Sequence, residues 1–224
     1  MTDFAAARRM MVDSQVRTSD VTDLGIIAAM LELPRERFVP EDKADLAYLD
    51  LDIPVTPASA GKPARRLLKP MVLAKMVQAA EIAAGDHVLD VGCATGYSSA
   101  LLAHLAQSVV ALEEDDALAR HARESLRAVG TENVTVVTGP LAQGWPAAAP
   151  YDVIFVNGAI GDAPGALLRQ LAEGGRLVAV VQPNDSVGKA QLFVKENSEI
   201  GARPAFDAGV PELAGFKKAV GFVF

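Results

Sequence analysis

The run VLDVGCATGYSSA at positions 88–100 concentrates the residues most able to do chemistry in this sequence. Its apolar start reads as a buried strand, its glycines as a tight turn, and the stretch from Tyr97 as a helix. Gly92 and Gly96 let the backbone come close to a ligand, and the N–H groups that open the helix attract acceptor atoms. In an open α/β sheet such a turn lies outside the carboxyl end of a strand, where ligands bind. The spacing is selective. A dinucleotide-binding turn needs glycine at the positions of Gly92, Ala94 and Tyr97, and only the first is glycine. A P-loop needs Gly-Lys-Ser/Thr, which does not follow. What remains is an acid, a spacer and two glycines four apart: Asp90, Gly92, Gly96. Glu113 ends the next valine-rich run, about 20 residues on, where a carboxylate can accept from both hydroxyls of a ribose. The plainer reading, a helix cap, suits Asp115 and Asp116 better than Glu113. A nucleoside-type cofactor is therefore expected against Asp90, Gly92, Cys93, Ala94, Gly96, Tyr97, Ser98, Glu113 and Glu114. Cys93 reads as a small apolar filler, and Tyr97, like Trp145, as packing rather than a stacking platform.

These residues need a parallel sheet to position them, and the sequence supplies its pattern. Short apolar runs at 87–91, 108–112, 134–137, 153–156 and 177–181 alternate with helical stretches at 97–105, 115–129 and 164–171, as in a sheet covered on both faces. In the tail, 190–194 and 219–224 read as two strands without a helix between them, an antiparallel pair closing one edge. Residues 1–82 differ. Met11, Val12 and Val16, then Leu24, Ile27, Ala28 and Leu31, fall at helical intervals, with Ser19 or Asp20 as the cap of the second helix. Prolines at 34, 40, 54, 57, 63 and 70 break the chain into loops, and Pro70 opens a further helix through Met71, Ala74, Val77 and Gln78. The expected organisation is a helical extension, 1–82, packed on an α/β core, 83–224.

Composition removes several classes. Half of the 224 residues are hydrophobic, too many for a disordered chain, yet no apolar run approaches the roughly 20 residues of a membrane span. No secretory signal is visible. Cys93 is the single cysteine, which excludes an internal disulfide and suits a reducing cytoplasm. A net charge of −7 argues against nucleic acid as a partner. His87, His104 and His121 lack ligand spacing, so no metal is expected. There is no Gly-x-Ser-x-Gly elbow for serine hydrolase chemistry. The oligomeric state is open, with a monomer slightly favoured.

The Asp90–Gly96 pattern resembles the first motif of class I S-adenosylmethionine-dependent methyltransferases, with Ala94 where glycine is common. The resemblance widens along the chain. MVDSQVRTSDVTD (11–23), AAMLELPRERFVPED (28–42), LAYLDLDIPV (46–55), the Gly144-Trp145-Pro146 run and AEGGRLVAVV (172–181) are similar to protein-L-isoaspartate O-methyltransferases over roughly residues 10–182. It implies a Rossmann-like, mostly parallel seven-stranded sheet with an N-terminal helical extension. It also implies S-adenosyl-L-methionine as methyl donor, and as acceptor the stray carboxylate of an isoaspartyl residue in a protein or peptide. The methyl ester then collapses to a succinimide, and the damaged chain can revert.

Two departures bear on that expectation. Where the family carries Thr-Ile-Ser-Gln-Pro, this chain has Arg66-Leu67-Leu68-Lys69-Pro70, so Leu68 replaces the active-site serine. Where the family has Gly-Asp-Gly against the adenine, this chain has Gly139-Pro140-Leu141, leaving Leu141 as the cofactor contact there. Displacement at a sulfonium methyl needs no general base, because a carboxylate is already nucleophilic; what a lost hydroxyl costs is positioning. Lys62, Arg65, Arg66 and Lys69 cluster in the altered segment. They read either as a carboxylate-binding set, with Arg65, Arg66 and Lys69 taking the acceptor, or as a solvated loop. Asn157, ending the 153–157 run, reads either as an amide that orients the acceptor or as turn chemistry with Gly158. A different acceptor on the same fold, or a non-catalytic binding module, are the competing readings.

Overall fold

The computed structural model describes residues 2–57, 64–183, 186–213 and 215–216. Its centre is a seven-stranded sheet. In chain order the long strands are β3 (His87–Val91), β4 (Ser108–Glu113), β5 (Val134–Thr138), β6 (Tyr151–Ile160), β7 (Leu171–Val181), β8 (Lys189–Glu196) and β9 (Glu199–Asp207); β1 (Ile53–Pro54) and β2 (Arg66–Leu67) form a separate two-stranded ladder. The spatial order is β5-β4-β3-β6-β7-β8-β9. The five strands β3 to β7 pair in parallel, and β8 and β9 add an antiparallel hairpin. From β3 the chain builds outward to β5, then returns to the other side of β3 with β6. The direction of winding thus reverses between β3 and β6, the place where such sheets open a ligand crevice.

Strand side chains alternate between two cores. Val88, Val153, Phe155 and Val178 face a cluster that also holds Met11, Phe38, Met76, Tyr97 and Leu101; Leu89, Ile154, Val156 and Leu177 face the other, with Leu112, Tyr151 and Leu167. The first cluster joins the N-terminal extension to the sheet in one continuous apolar mass. Helix α1 (Phe4–Met11) starts at Asp3, whose side chain accepts from Ala6 N, and runs on through a wide turn, Val12–Val16, and a 3-10 turn, Arg17–Ser19. Asp20 stops it in the left-handed conformation, φ 63°. The expected cap of the second helix is therefore corrected: Asp20 closes one helix, and Asp23 opens α2 (Leu24–Glu32) by accepting from Ile26 N. Pro70 is the first residue of α3 (Pro70–Ala79), as expected.

Helices α4 (Tyr97–Ala103) and α5 (Asp116–Ala128) lie where periodicity puts them, and Asp115 caps α5 through Ala117 N and Leu118 N. The third expected helix, 164–171, shrinks to one turn, α6 (Gly165–Leu168). Leu171 already pairs with Tyr151 in the sheet, and the buried Gln170 spends its amide on Gln143 O, Ala166 O and Trp145 N. The partner of β8 is also not the one expected. β8 turns back at Asn197 and Ser198, both with positive φ (52° and 67°), into β9, the pattern of a two-residue hairpin turn. The strand expected at 219–224 lies outside the described residues. Among those described, no helix is long and apolar enough to cross a membrane, and no three His, Cys, Asp or Glu side chains group as a metal site.

Candidate active site

The crevice forms at the carboxyl ends of β3 and β6. After Val91 the chain turns at Gly92 (φ +78°), and Gly92 N and Cys93 N both donate to Leu112 O at 2.8 and 3.2 Å, fastening the turn to β4. Ala94 also sits at positive φ, 51°, a conformation that disfavours a side chain and that the glycine common in the family would adopt freely. Gly96 (φ +96°) then admits α4. Thr95, not singled out by sequence reasoning, is buried and donates from Oγ1 to Phe38 O at 2.5 Å, tying the turn to the N-terminal extension.

Asp90 proves to be an internal brace, with no exposure to the crevice. Its carboxylate accepts from Ser98 Oγ at 2.7 Å, Ser99 Oγ at 2.6 Å and the Asn157 amide, locking β3, α4 and β6 together. Burial pushes its pKa up to about 6, against the lowering effect of the two serines. The folded value lies above the unfolded one of about 3.9. Stability from Asp90 is therefore complete below about pH 4 and lost as pH rises through about 6. The gap corresponds to about 3 kcal/mol. Urea unfolding at pH 4 and pH 7.5 should show the wild type losing about that much more than Asp90→Asn; parallel losses would refute it.

Glu113 is fully buried at the end of β4 and faces the turn. Oε2 accepts from Ala94 N at 2.8 Å, and Oε1 from Glu114 N at 3.0 Å and Asp115 N at 3.3 Å. Three backbone donors thus hold the carboxylate where a ribose acid belongs, and it is not a cap of α5. Glu114 itself is exposed and contributes its N–H. Cys93 is buried and its thiol is raised well above its ordinary value, first by burial, which makes it inert packing. Tyr97 packs edge-on against Phe38 (5.4 Å, 70°), with the Arg35 guanidinium 4.6 Å over its ring. Leu141 is buried in the second core cluster, beyond the exposed Pro140.

The basic residues divide. Arg65 turns inward, and its Nη2 donates to Glu113 Oε2 and Gly92 O, both at 3.0 Å. Arg66 is exposed and donates to Asp52 O, and Lys69 offers its backbone N–H to Asp52 Oδ1 at 2.8 Å. Lys62 lies outside the described residues. Asn157 gives its amide hydrogens to Asp90 and Ser98 Oγ, so what it presents to the crevice is an acceptor oxygen, not a donor for a carboxylate. Leu68 is buried where the serine was expected, its carbonyl held by Arg35 Nη2 at 2.7 Å.

The residues that would hold a nucleoside are therefore in place, and so is a demand for polar partners. Beside the turn, Arg65 Nη1 is buried without a hydrogen bond; Arg35 Nη1 and Tyr97 OH, also without one by strict geometry, lie against each other and interact favourably. Room is what is missing. A Cβ on Gly92 would meet Arg65 Nη2 and Leu213 Cδ1 at 3.0 Å, and the cavity left between Leu68, Ala94, Tyr97 and Asn157 measures about 10 Å³. That volume holds one water, whereas ligands of this size need about 300 Å³ or more. Leu213 arrives on a strap beyond β9 that bonds to β6 through Ala159 N to Pro211 O and Leu213 N to Ala159 O, each 2.8 Å. Arg65 and Leu213 thus both crowd the space over Gly92, which a ligand at the turn would share with them.

A mostly parallel seven-stranded sheet, a glycine turn after its first parallel strand and an acid closing the next define the class I methyltransferase fold. Residues 7–206 match the model of the protein-L-isoaspartate(D-aspartate) O-methyltransferase family, and the chain belongs to that family. It is a family of S-adenosylmethionine-dependent O-methyltransferases, so its cofactor is the one expected at Gly92 and Glu113. The chain is 40% identical over 194 residues to protein-L-isoaspartate O-methyltransferase 1 of Rhodopseudomonas palustris (strain HaA2), covering 87% of this chain and 76% of that one. It is 38% identical to a protein-L-isoaspartate O-methyltransferase of Methanoculleus marisnigri, covering 84% and 83%. A solved protein-L-isoaspartate O-methyltransferase superposes with a TM-score of 0.79 at 26% identity, over 93% of this chain and 66% of that one. A Plasmodium falciparum protein in complex with S-adenosyl-L-homocysteine superposes with a TM-score of 0.76; at 18% identity it supports the fold alone.

Proposed function

We propose that this chain transfers the methyl group of S-adenosylmethionine to a carboxylate of a protein or peptide, the isoaspartyl carboxylate first among them. The observation that carries this is Glu113, set by three backbone donors to face the Gly92–Gly96 turn at the reversal point of the sheet. The donor supplies an electrophilic methyl; the protein's share is to hold and align, since a carboxylate nucleophile needs no base. Glu113 would hold the sugar, and the Gly92 turn would let the backbone approach it. On the acceptor side, Leu68 offers shape where the family offers a hydroxyl, and Arg66, which lines the crevice, supplies positive charge there. A buried, reduced Cys93 suits a cytoplasmic setting. The test is transfer of labelled methyl to an isoaspartyl peptide beside its aspartyl twin. Base-labile label in the first alone is expected; equal label in both would move the acceptor elsewhere.

Leu68 and Pro140, standing where the family has its serine and its acid, favour a second reading, a binding module that keeps the fold without the reaction. A folded protein that takes up no methyl donor at millimolar concentration would select it.

A further inference from the structure

We propose that Arg65 is a latch on the donor site: its guanidinium takes the place of the donor's ribose hydroxyls on Glu113, so the methyl donor enters only when Arg65 swings out. The inference rests on the donor reading above and adds a control that the reading does not require.

The contact is specific and internal. Arg65 Nη2 donates to Glu113 Oε2 and to Gly92 O, both at 3.0 Å, so one nitrogen joins the acid to the turn that would otherwise clasp the ligand. The same nitrogen lies 3.0 Å from where a Gly92 side chain would begin, within the space that glycine keeps open for a ligand. Arg65 and Glu113 are 48 residues apart, and neither belongs to the other's local structure. The Arg65 side chain is 13% exposed and that of Glu113 not at all, so the contact is made out of water.

Two features make this a latch and not a fixed strut. Arg65 Nη1 is buried without a partner, so the guanidinium is desolvated for a partial set of bonds and would recover the rest in water. Glu113, by contrast, keeps three backbone donors when Arg65 leaves, so the acid stays aimed. The backbone of Arg65 is anchored meanwhile: its N–H donates to Thr56 Oγ1 at 2.9 Å and its carbonyl accepts from Val55 N at 2.8 Å. Only the side chain need move. Leu213 narrows the same space, but by contact alone, with no polar bond from its side chain to break.

A ligand that binds only the open form has its affinity lowered by the fraction open. A charge-assisted hydrogen bond of ordinary strength sets that factor at roughly 10–100-fold. The experiment is calorimetric titration of the whole chain and of Arg65→Ala with S-adenosylhomocysteine, each checked for cooperative thermal unfolding. The latch requires Arg65→Ala to bind roughly 10–100-fold more tightly than the wild type. Equal or weaker binding by Arg65→Ala, with the wild type binding well, overturns the latch and leaves the methyltransferase reading standing. No uptake by either folded protein at millimolar ligand removes the donor reading and the latch together. If Arg65→Ala does not fold, Arg65→Gln replaces it: its amide can still reach Glu113 but carries no charge. A smaller tightening is then expected, and an unchanged affinity overturns the proposal.

Discussion

Replacing Glu113 by alanine is expected to cost about 3–5 kcal/mol of folding stability and to abolish uptake of the methyl donor. The two losses have one origin. The carboxylate is buried completely and accepts four bonds, from Arg65, Ala94, Glu114 and Asp115. Without it, three backbone N–H groups lose an acceptor at once, and the Arg65 guanidinium keeps only Gly92 O. Arg65→Ala is the milder change, about 1–3 kcal/mol, because Glu113 keeps its backbone donors. The pair should therefore be non-additive: the double variant should lose about 1–3 kcal/mol less than the sum of the singles. Urea unfolding of the four proteins measures this directly. Additivity within about 0.5 kcal/mol would mean that the 3.0 Å contact carries no coupling. Binding separates the roles further: Arg65→Ala should gain donor affinity, and the double variant should not, because the acid that receives the ribose is gone.

That pair marks the border between what the sequence discloses and what it hides. Glu113 is legible because its position depends on local order: a valine-rich strand, a fixed distance after a glycine turn, in a fold whose rules place ligands at strand ends. Arg65 is visible as a positive charge near the acceptor, but its contact is made across 48 residues and depends on how a loop lies against a finished sheet. No periodicity encodes that. The same division runs through the fold. Parallel strands announce themselves as continuous apolar runs, and each of the five stands at such a run, the half-exposed β5 included, with β6 and β7 extending past the apolar stretch at one or both ends. β9 escaped because it is exposed along most of its length and carries Gly201 and Pro204, so neither alternation nor apolar continuity marks it. The signal that could have found it is the Asn197-Ser198 turn. At the site, the closeness of Asp90 to Gly92 in sequence suggests a shared grip on a ligand. The strand's alternation points the Asp90 side chain inward, to Ser98 and Ser99.

Arg35 carries no signal in the sequence beyond its place in the 28–42 run, yet its loss should be the second most damaging. Its side chain is fully buried, with Nε donating to Ala47 O at 2.8 Å and Nη2 to Leu68 O at 2.7 Å, and its guanidinium lies over the Tyr97 ring. One residue thus ties the loop after Phe38, the segment that replaces the family's serine, and the first turn of α4. Arg35→Ala removes both bonds and leaves a cavity, an expected loss of about 3–5 kcal/mol. Arg35→Met removes the same bonds but fills most of the space and relieves the buried charge, so a smaller loss of about 1–2 kcal/mol is expected. The order of the two variants in urea unfolding is the measurement that decides. If Met proves as damaging as Ala, volume is not what Arg35 supplies; the charge is, and its contact with Tyr97 becomes the feature that the fold maintains.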